Sequence, residues 1–148
     1  MVGEMAGATI AVASDHAGFD LKEILKRDLQ EAGYAVLDLG TNSTASVDYP
    51  DFGKAMGEAI ASGKAEKGVL VCGSGIGISI AANRNPKVRA ALAHDAVSAR
   101  LSREHNDANV VAFGQRLIEA EVAREALKVF LATPFEGGRH AGRVAKLS

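Results

Sequence analysis

The chain has 148 residues, 47% of them hydrophobic and 24% charged, which suits one globular domain with a packed core and excludes a disordered chain. Its 17 Lys plus Arg against 18 Asp plus Glu leave a formal charge of -1, so no overall electrostatic pull toward nucleic acid or an anionic membrane exists. Cys72 is the only cysteine; an intrachain disulfide and a multi-cysteine metal centre are excluded, and a reducing cytoplasm fits best.

The opening MVGEMAG carries Glu4 and no basic residue, and the apolar run after it breaks at Ser14 and Asp15. That pattern argues against a signal peptide and a membrane span, and residues 1–7 read as a flexible extension. Residues 8–14 (ATIAVAS) form a first strand, and 19–32 place Phe19, Leu21, Ile24, Leu25 and Leu29 largely on one helical face. Gly33 ends that helix, YAVLDL (34–39) returns to strand, and a polar loop from Gly40 leads to a helix over about 51–62. GVLVC (68–72) is a buried strand that runs into CGSGIG and a helix over about 77–83. VRAALA (88–93), a helix capped by Asp95 and ending near His105, NVVAFG (109–114) and a helix over 119–132 complete the series. Five strand-then-helix alternations imply a Rossmann-like α/β domain over 1–148, with a five-stranded parallel sheet covered by helices on both faces. Ligands of such sheets sit beyond the carboxyl ends of the strands, and four polar clusters are read as lying there.

The first cluster, Asp15 and His16, can bind sugar hydroxyls or phosphate, or can simply cap a helix. The second is Cys72, Gly73, Ser74, Gly75, Ile76 and Gly77. Its glycines let successive N–H groups face an anion, and the helix N-terminus behind them adds partial positive charge. Ile78 and Ile80 stand where a third glycine would complete G-x-G-x-x-G, and no P-loop occurs, so the cluster is a generic anion cradle rather than a dinucleotide or triphosphate site. A free cysteine is commonly a small buried hydrophobe, but at this seam the dipole and amides favour a thiolate able to act as base or nucleophile. Ser74 orients a substrate oxygen or is merely a turn residue.

The third cluster, SREHND (102–107), carries His105 and Asn106; the imidazole can exchange protons near neutral pH or can just complement a helix end. His94 reads as structural. In the fourth, EGGRHAGR, Arg139 and Arg143 share a face if the tail is helical, a like-charge spacing that a phosphate would relieve. Arg116 adds a third cation; the alternative is a solvated basic surface. Tyr49, Pro50 and Asp51 shape the intervening loop.

Taken together, SDHAGFDLK (14–22), DYPDF (48–52), CGSGIGISIAANR (72–84), LSREHNDANVVAFGQR (101–116) and EGGRHAGR (136–143) resemble type B ribose-5-phosphate isomerase, in the family's order and spacing. The same family holds allose- and galactose-6-phosphate isomerases, so the reaction is better fixed than the sugar. The resemblance implies that Cys72 moves a proton between two sugar carbons, that Gly73, Gly75, Ile76 and Gly77 supply loop amides, and that Ser74 stands where many relatives have threonine. Some relatives lack the cysteine and use a glutamate at the place of Ile78. It also implies that His105 opens the sugar ring, that Asp15 and Asn106 hold sugar oxygens, and that His16, Arg116, Arg139 and Arg143 address the phosphate. A homodimer or tetramer with shared active sites is implied, with 137–148 at the interface and no metal or other cofactor. The expected function is ribose 5-phosphate to ribulose 5-phosphate isomerisation. A 6-phosphohexose isomerase, a noncatalytic sugar-phosphate or nucleotide-binding module, and a cysteine-nucleophile hydrolase are the alternatives.

Overall fold

The computed structural model describes residues 7–148. The strands are β1 (Thr9–Ser14), β2 (Ala35–Asp38), β3 (Lys67–Cys72), β4 (Ala90–Leu92) and β5 (Val110–Gly114). All neighbours pair in parallel, in the order β2-β1-β3-β5-β4. The helices are α1 (Phe19–Glu31), α2 (Tyr49–Ala61), α3 (Ile76–Asn83), α4 (Ala96–Asn106), α5 (Ala120–Ala132) and α6 (Arg139–Ala145), with a 3-10 turn at His16–Gly18 between β1 and α1. None of these helices is long and apolar enough to cross a membrane.

The expected five-stranded α/β sheet is therefore present. Its central strands are buried on both faces, which explains why β1 and β5 read as near-continuous apolar runs rather than as alternating ones. On one face Ile10, Val12, Val69, Val71, Val111 and Phe113 pack under the apolar sides of α1, α4 and α5. On the other, Ala11, Ala13, Leu70, Val110 and Ala112 meet Met56 and Ala59 of α2 and Ile78 and Ala82 of α3. β2 and β4 are the edges and are only partly buried.

Element ends shift by one or two residues. α2 starts at Tyr49 rather than about 51, because Asp48 holds an extended N-cap backbone and Pro50 suits the first turn. α3 starts at Ile76 and α4 runs on to Asn106, where Asp107 adopts φ 47° as the C-cap. β2 and β4 are shorter than 34–39 and 88–93. Of the expected N-terminal extension, residues 1–6 lie outside the described residues, whereas the Gly7 N–H donates to the Gly33 carbonyl at 3.1 Å.

A charged clamp fixes the loop that leads to the first polar cluster. Lys22, 1% exposed on α1, donates to both carboxylate oxygens of Asp38 at 2.9 and 3.0 Å, and Asp38 also accepts the Gly40 N–H at 2.9 Å. The Gly40 carbonyl in turn accepts the Ser14 N–H at 2.8 Å, one residue before Asp15. Burial pushes the Asp38 carboxyl up, but bonds from Lys22, Gly40 and Lys26 outweigh it and hold the group below the usual carboxylate range. A carboxyl depressed in the fold contributes stability above its unfolded value of about 4, and that contribution is lost as pH falls through the folded value. Asp38→Asn is expected to cost about 2 kcal/mol, since it leaves the buried Lys22 charge less well compensated. Urea unfolding at neutral pH measures that loss, and the gap to the unmodified chain should narrow in acid.

Candidate active site

The strand order reverses between β1 and β3: β1 leads outward to β2 on one side, and β3 begins the other wing. Parallel α/β sheets open a crevice at the carboxyl ends of such a pair. Here the register sets Ser14 beside Val71 and Cys72 beside Gly114, so Asp15, Cys72 and the Gln115–Arg116 turn leave three adjacent strands at one level. A cavity of about 550 Å³ sits there, lined by Asp15, His16, Cys72, Gly73, Ser74, Ile76, Gly77 and Arg116 among others.

Each side chain is held by its local backbone. Asp15 caps the 3-10 turn by accepting the Gly18 N–H at 3.1 Å. The Val47 N–H lies 3.1 Å from His16 Nδ1. Nδ1 also lies 3.2 Å from the Val47 carbonyl oxygen, so Val47 holds the ring in place through the one nitrogen, as acceptor of its N–H or donor to its carbonyl according to the tautomer. Cys72 is 4% exposed at the end of β3, and its Sγ accepts the Gly75 N–H at 3.1 Å. Gly75 has φ 77°, and a Cβ there would lie 2.6 Å from Leu92 Cδ1 and 2.8 Å from the Phe113 carbonyl carbon. Only glycine supplies that turn, which bends the chain back so that its amide meets the sulfur. Ser74 Oγ accepts the Ile76 N–H at 3.1 Å, leaving its own O–H to donate elsewhere. The Arg116 guanidinium lies against Gly73, and the Arg116 N–H is tied to the Gly73 carbonyl at 3.0 Å. Ile78 is fully buried in the core beneath α3.

His105, Asn106, Arg139 and Arg143 are not brought to this cavity. The reading that all four clusters follow strand ends is corrected by the topology. Residues 102–107 precede β5 and so lie at its amino end, roughly 15 Å of strand away from the Cys72 level. α5 leaves the carboxyl end of β5 and runs back, which delivers the loop before α6 to the same amino end. The buried Arg103 stitches this region together, donating to the Thr133 and Ala108 carbonyls at 3.0 and 2.8 Å and to Asp107 Oδ1 at 2.7 Å. Arg139 and Arg143 do share the helix α6. Asn106 is exposed and lines a separate cavity beside Arg89 and Leu147.

Two features escaped the sequence reading. Tyr49, noted there only as a loop residue, lines the Cys72 cavity, and its ring covers Gly77 so closely that a Cβ there would sit 2.6 Å from Cε1. It also borders a larger cleft of about 700 Å³ between α2 and α3 that holds no imidazole or thiol. The second feature is His140, inside EGGRHAGR, whose ring stacks on His105 with centroids 4.4 Å apart and planes 16° from parallel. Glu136 joins them, and the three offer donor atoms within 4.8 Å of one another. Near-parallel stacking sets the ring lone pairs side by side rather than aiming them at one point, so a stack describes the group better than a metal cage. The one signal for His140 was its place between two arginines.

A family model described as Ribose/Galactose Isomerase matches residues 10–147. The chain belongs to this family. Ribose-5-phosphate isomerase B of Escherichia coli (strain K12) is 43% identical over 139 residues, covering 94% of this chain and 93% of its own. D-erythrulose-4-phosphate isomerase of Pectobacterium atrosepticum is 40% identical over 140 residues, covering 94% and 92%. Among solved structures, ribose-5-phosphate isomerase B of Clostridium thermocellum superposes with a TM-score of 0.93 at 47% identity over 94% of each chain. The protein is thus an aldose–ketose isomerase, which sets aside the binding-module and hydrolase alternatives.

Gly75→Ala tests the turn that holds the sulfur. A side chain at φ 77° against the Phe113 backbone is expected to cost about 2–3 kcal/mol in urea unfolding, with isomerase activity falling more steeply than the folded fraction.

Proposed function

We propose that this isomerase interconverts ribose 5-phosphate and ribulose 5-phosphate through an enediolate, with Cys72 as the base. The observation that carries the reading is the Cys72 sulfur at the wall of a polar cavity, accepting the Gly75 N–H at the mouth of an eight-residue helix. The N–H on the sulfur and the start of α3 behind it set donors, not acceptors, around the atom that takes the proton in this reading.

The sugar ring must open first, by proton exchange at the ring oxygen, a task suited to His105. The thiolate then removes the C2 proton, and the negative charge that develops on O1 faces the loop amides of Gly73, Ser74 and Gly77, since those of Gly75 and Ile76 already meet Cys72 Sγ and Ser74 Oγ. Returning the proton to C1, with O2 losing its hydroxyl proton and O1 gaining one, completes the ketose. C1 and C2 are neighbours, so one sulfur can serve both. The Ser74 hydroxyl, with its proton free, orients a substrate oxygen, and Asp15 accepts from a sugar hydroxyl. His16 and Arg116 meet the phosphate, which does not react but supplies remote binding energy to hold the carbons in place.

Because His105 lies at the opposite end of the sheet, this chemistry needs a second copy of the chain to present its His105, Asn106, Arg139 and Arg143 to the Cys72 cavity. A homodimer, or a tetramer of two such pairs, with residues 137–148 at the contact, meets that requirement. The cytoplasm is the compartment we assign, since reducing conditions keep Cys72 a free thiol. Sugars one carbon longer or shorter are the competing substrates: the family includes 6-phosphohexose isomerases, and a relative of comparable identity is named for a tetrose phosphate.

Purified protein with ribose 5-phosphate in deuterated water is expected to yield ribulose 5-phosphate labelled at carbon. Cys72→Ala should lower kcat by about 10³-fold or more and abolish labelling, and retention of either would remove Cys72 from its role. Arg139→Ala should mainly raise KM, as loss of a contact made equally in ground and transition states does. Parallel rates with tetrose, pentose and hexose phosphates decide the sugar.

A further inference from the structure

The reading of His105 as the ring-opening acid–base leaves open what holds its ring. Among the described residues the His105 imidazole makes no hydrogen bond; its one organised contact is the face of His140, 4.4 Å away and 16° from parallel. His105 is half-buried and His140 is only 7% exposed. Glu136 Oε1 lies 3.5 Å from His140 Nε2, and the Glu136 N–H donates to the carbonyl of Glu104 at 3.1 Å. The support is therefore tied back to α4 at the residue next to His105.

We infer that His140 is a positioning residue for the isomerase, a flat buried platform that fixes the His105 imidazole at the angle ring opening needs. The inference rests on the proposed role of His105. Burial, followed by the nearby charges of His105, Arg139 and Arg143, holds the proton affinity of His140 below that of an ordinary histidine, against the opposing pull of Glu136. That depression favours the neutral form of His140, and a neutral aromatic face accepts either form of the ring above it.

Substrate chemistry supplies a readout that general damage would not reproduce. An aldopentose 5-phosphate closes into a ring through O4. In the ketopentose 5-phosphate the only oxygen able to form a five-membered ring with the C2 carbonyl is O5, which the phosphate blocks. The ketose is therefore open, and exchange of its C1 hydrogen with solvent needs the Cys72 base but no ring-opening step.

The test uses the full chain and compares ribose 5-phosphate turnover with solvent deuterium exchange at C1 of ribulose 5-phosphate. His140→Leu keeps comparable bulk and removes the aromatic face. It is expected to lower kcat on ribose 5-phosphate by about 10-fold or more, as a small misplacement of a catalytic group does, with KM and C1 exchange within about twofold. His140→Phe restores the flat face and should recover kcat to within about threefold. Unchanged kcat in His140→Leu, an equal loss in both reactions, or a His140→Phe variant as slow as His140→Leu would each overturn the inference. If the Leu variant does not fold by circular dichroism, His140→Asn replaces it under the same criteria. His105→Asn separates the two levels. Loss of turnover there with intact exchange upholds the role of His105 whatever His140 does, whereas full turnover in His105→Asn removes that role and the platform with it. Failure of the unmodified chain to turn over ribose 5-phosphate falls on the substrate assignment and takes this inference down as well.

Discussion

A buried cysteine at the end of a parallel strand is ordinarily inert. What distinguishes Cys72 is the backbone that follows it: the chain turns through a left-handed glycine at residue 75 and returns that residue's N–H to the sulfur. The turn is possible because Gly75 packs against the Phe113 backbone and the Leu92 side chain with no room for a Cβ, and because β3 lies between β1 and β5. Sheet order, turn and sulfur are one mechanical unit. The helix start at Ile76 and the placing of Arg116 against Gly73 both follow from it.

Much of this was legible in the residues themselves. Apolar runs within 8–14, 68–72 and 109–114, each followed by helical periodicity, signal buried parallel strands because covered strands lose their alternation. Asp95 announces its helix, and the structure adds the reciprocal bond, donated by the Asp95 N–H to Ser98 Oγ. The cluster Asp15, His16, Cys72, Ser74 and Arg116 converges as the rule for parallel sheets suggests. Strand order was not legible. Crossover handedness constrains the direction of each step, but nothing local says that β5 inserts between β3 and β4.

The misplacement of His105 has the same root. A residue that precedes a strand and one that follows it look alike in a linear motif, although they end up at opposite ends of the sheet. Family resemblance gave all these residues one site, and the single chain separates them into two groups. His140 was hidden for another reason: stacking depends on where two loops meet in space, and neither His105 nor His140 carries a sequence signal of the other.

The separation of the two groups has a consequence for how such an enzyme is inherited and assembled. In the symmetric pair we propose, every chain is host to one reaction centre and visitor to another, which would make the heritable unit of function a contact between molecules rather than a single fold. Changes near Arg103, which ties the amino edge together through Thr133, Asp107 and Ala108, would then loosen the chain that carries them and also reach across the seam we propose, into its neighbour's chemistry.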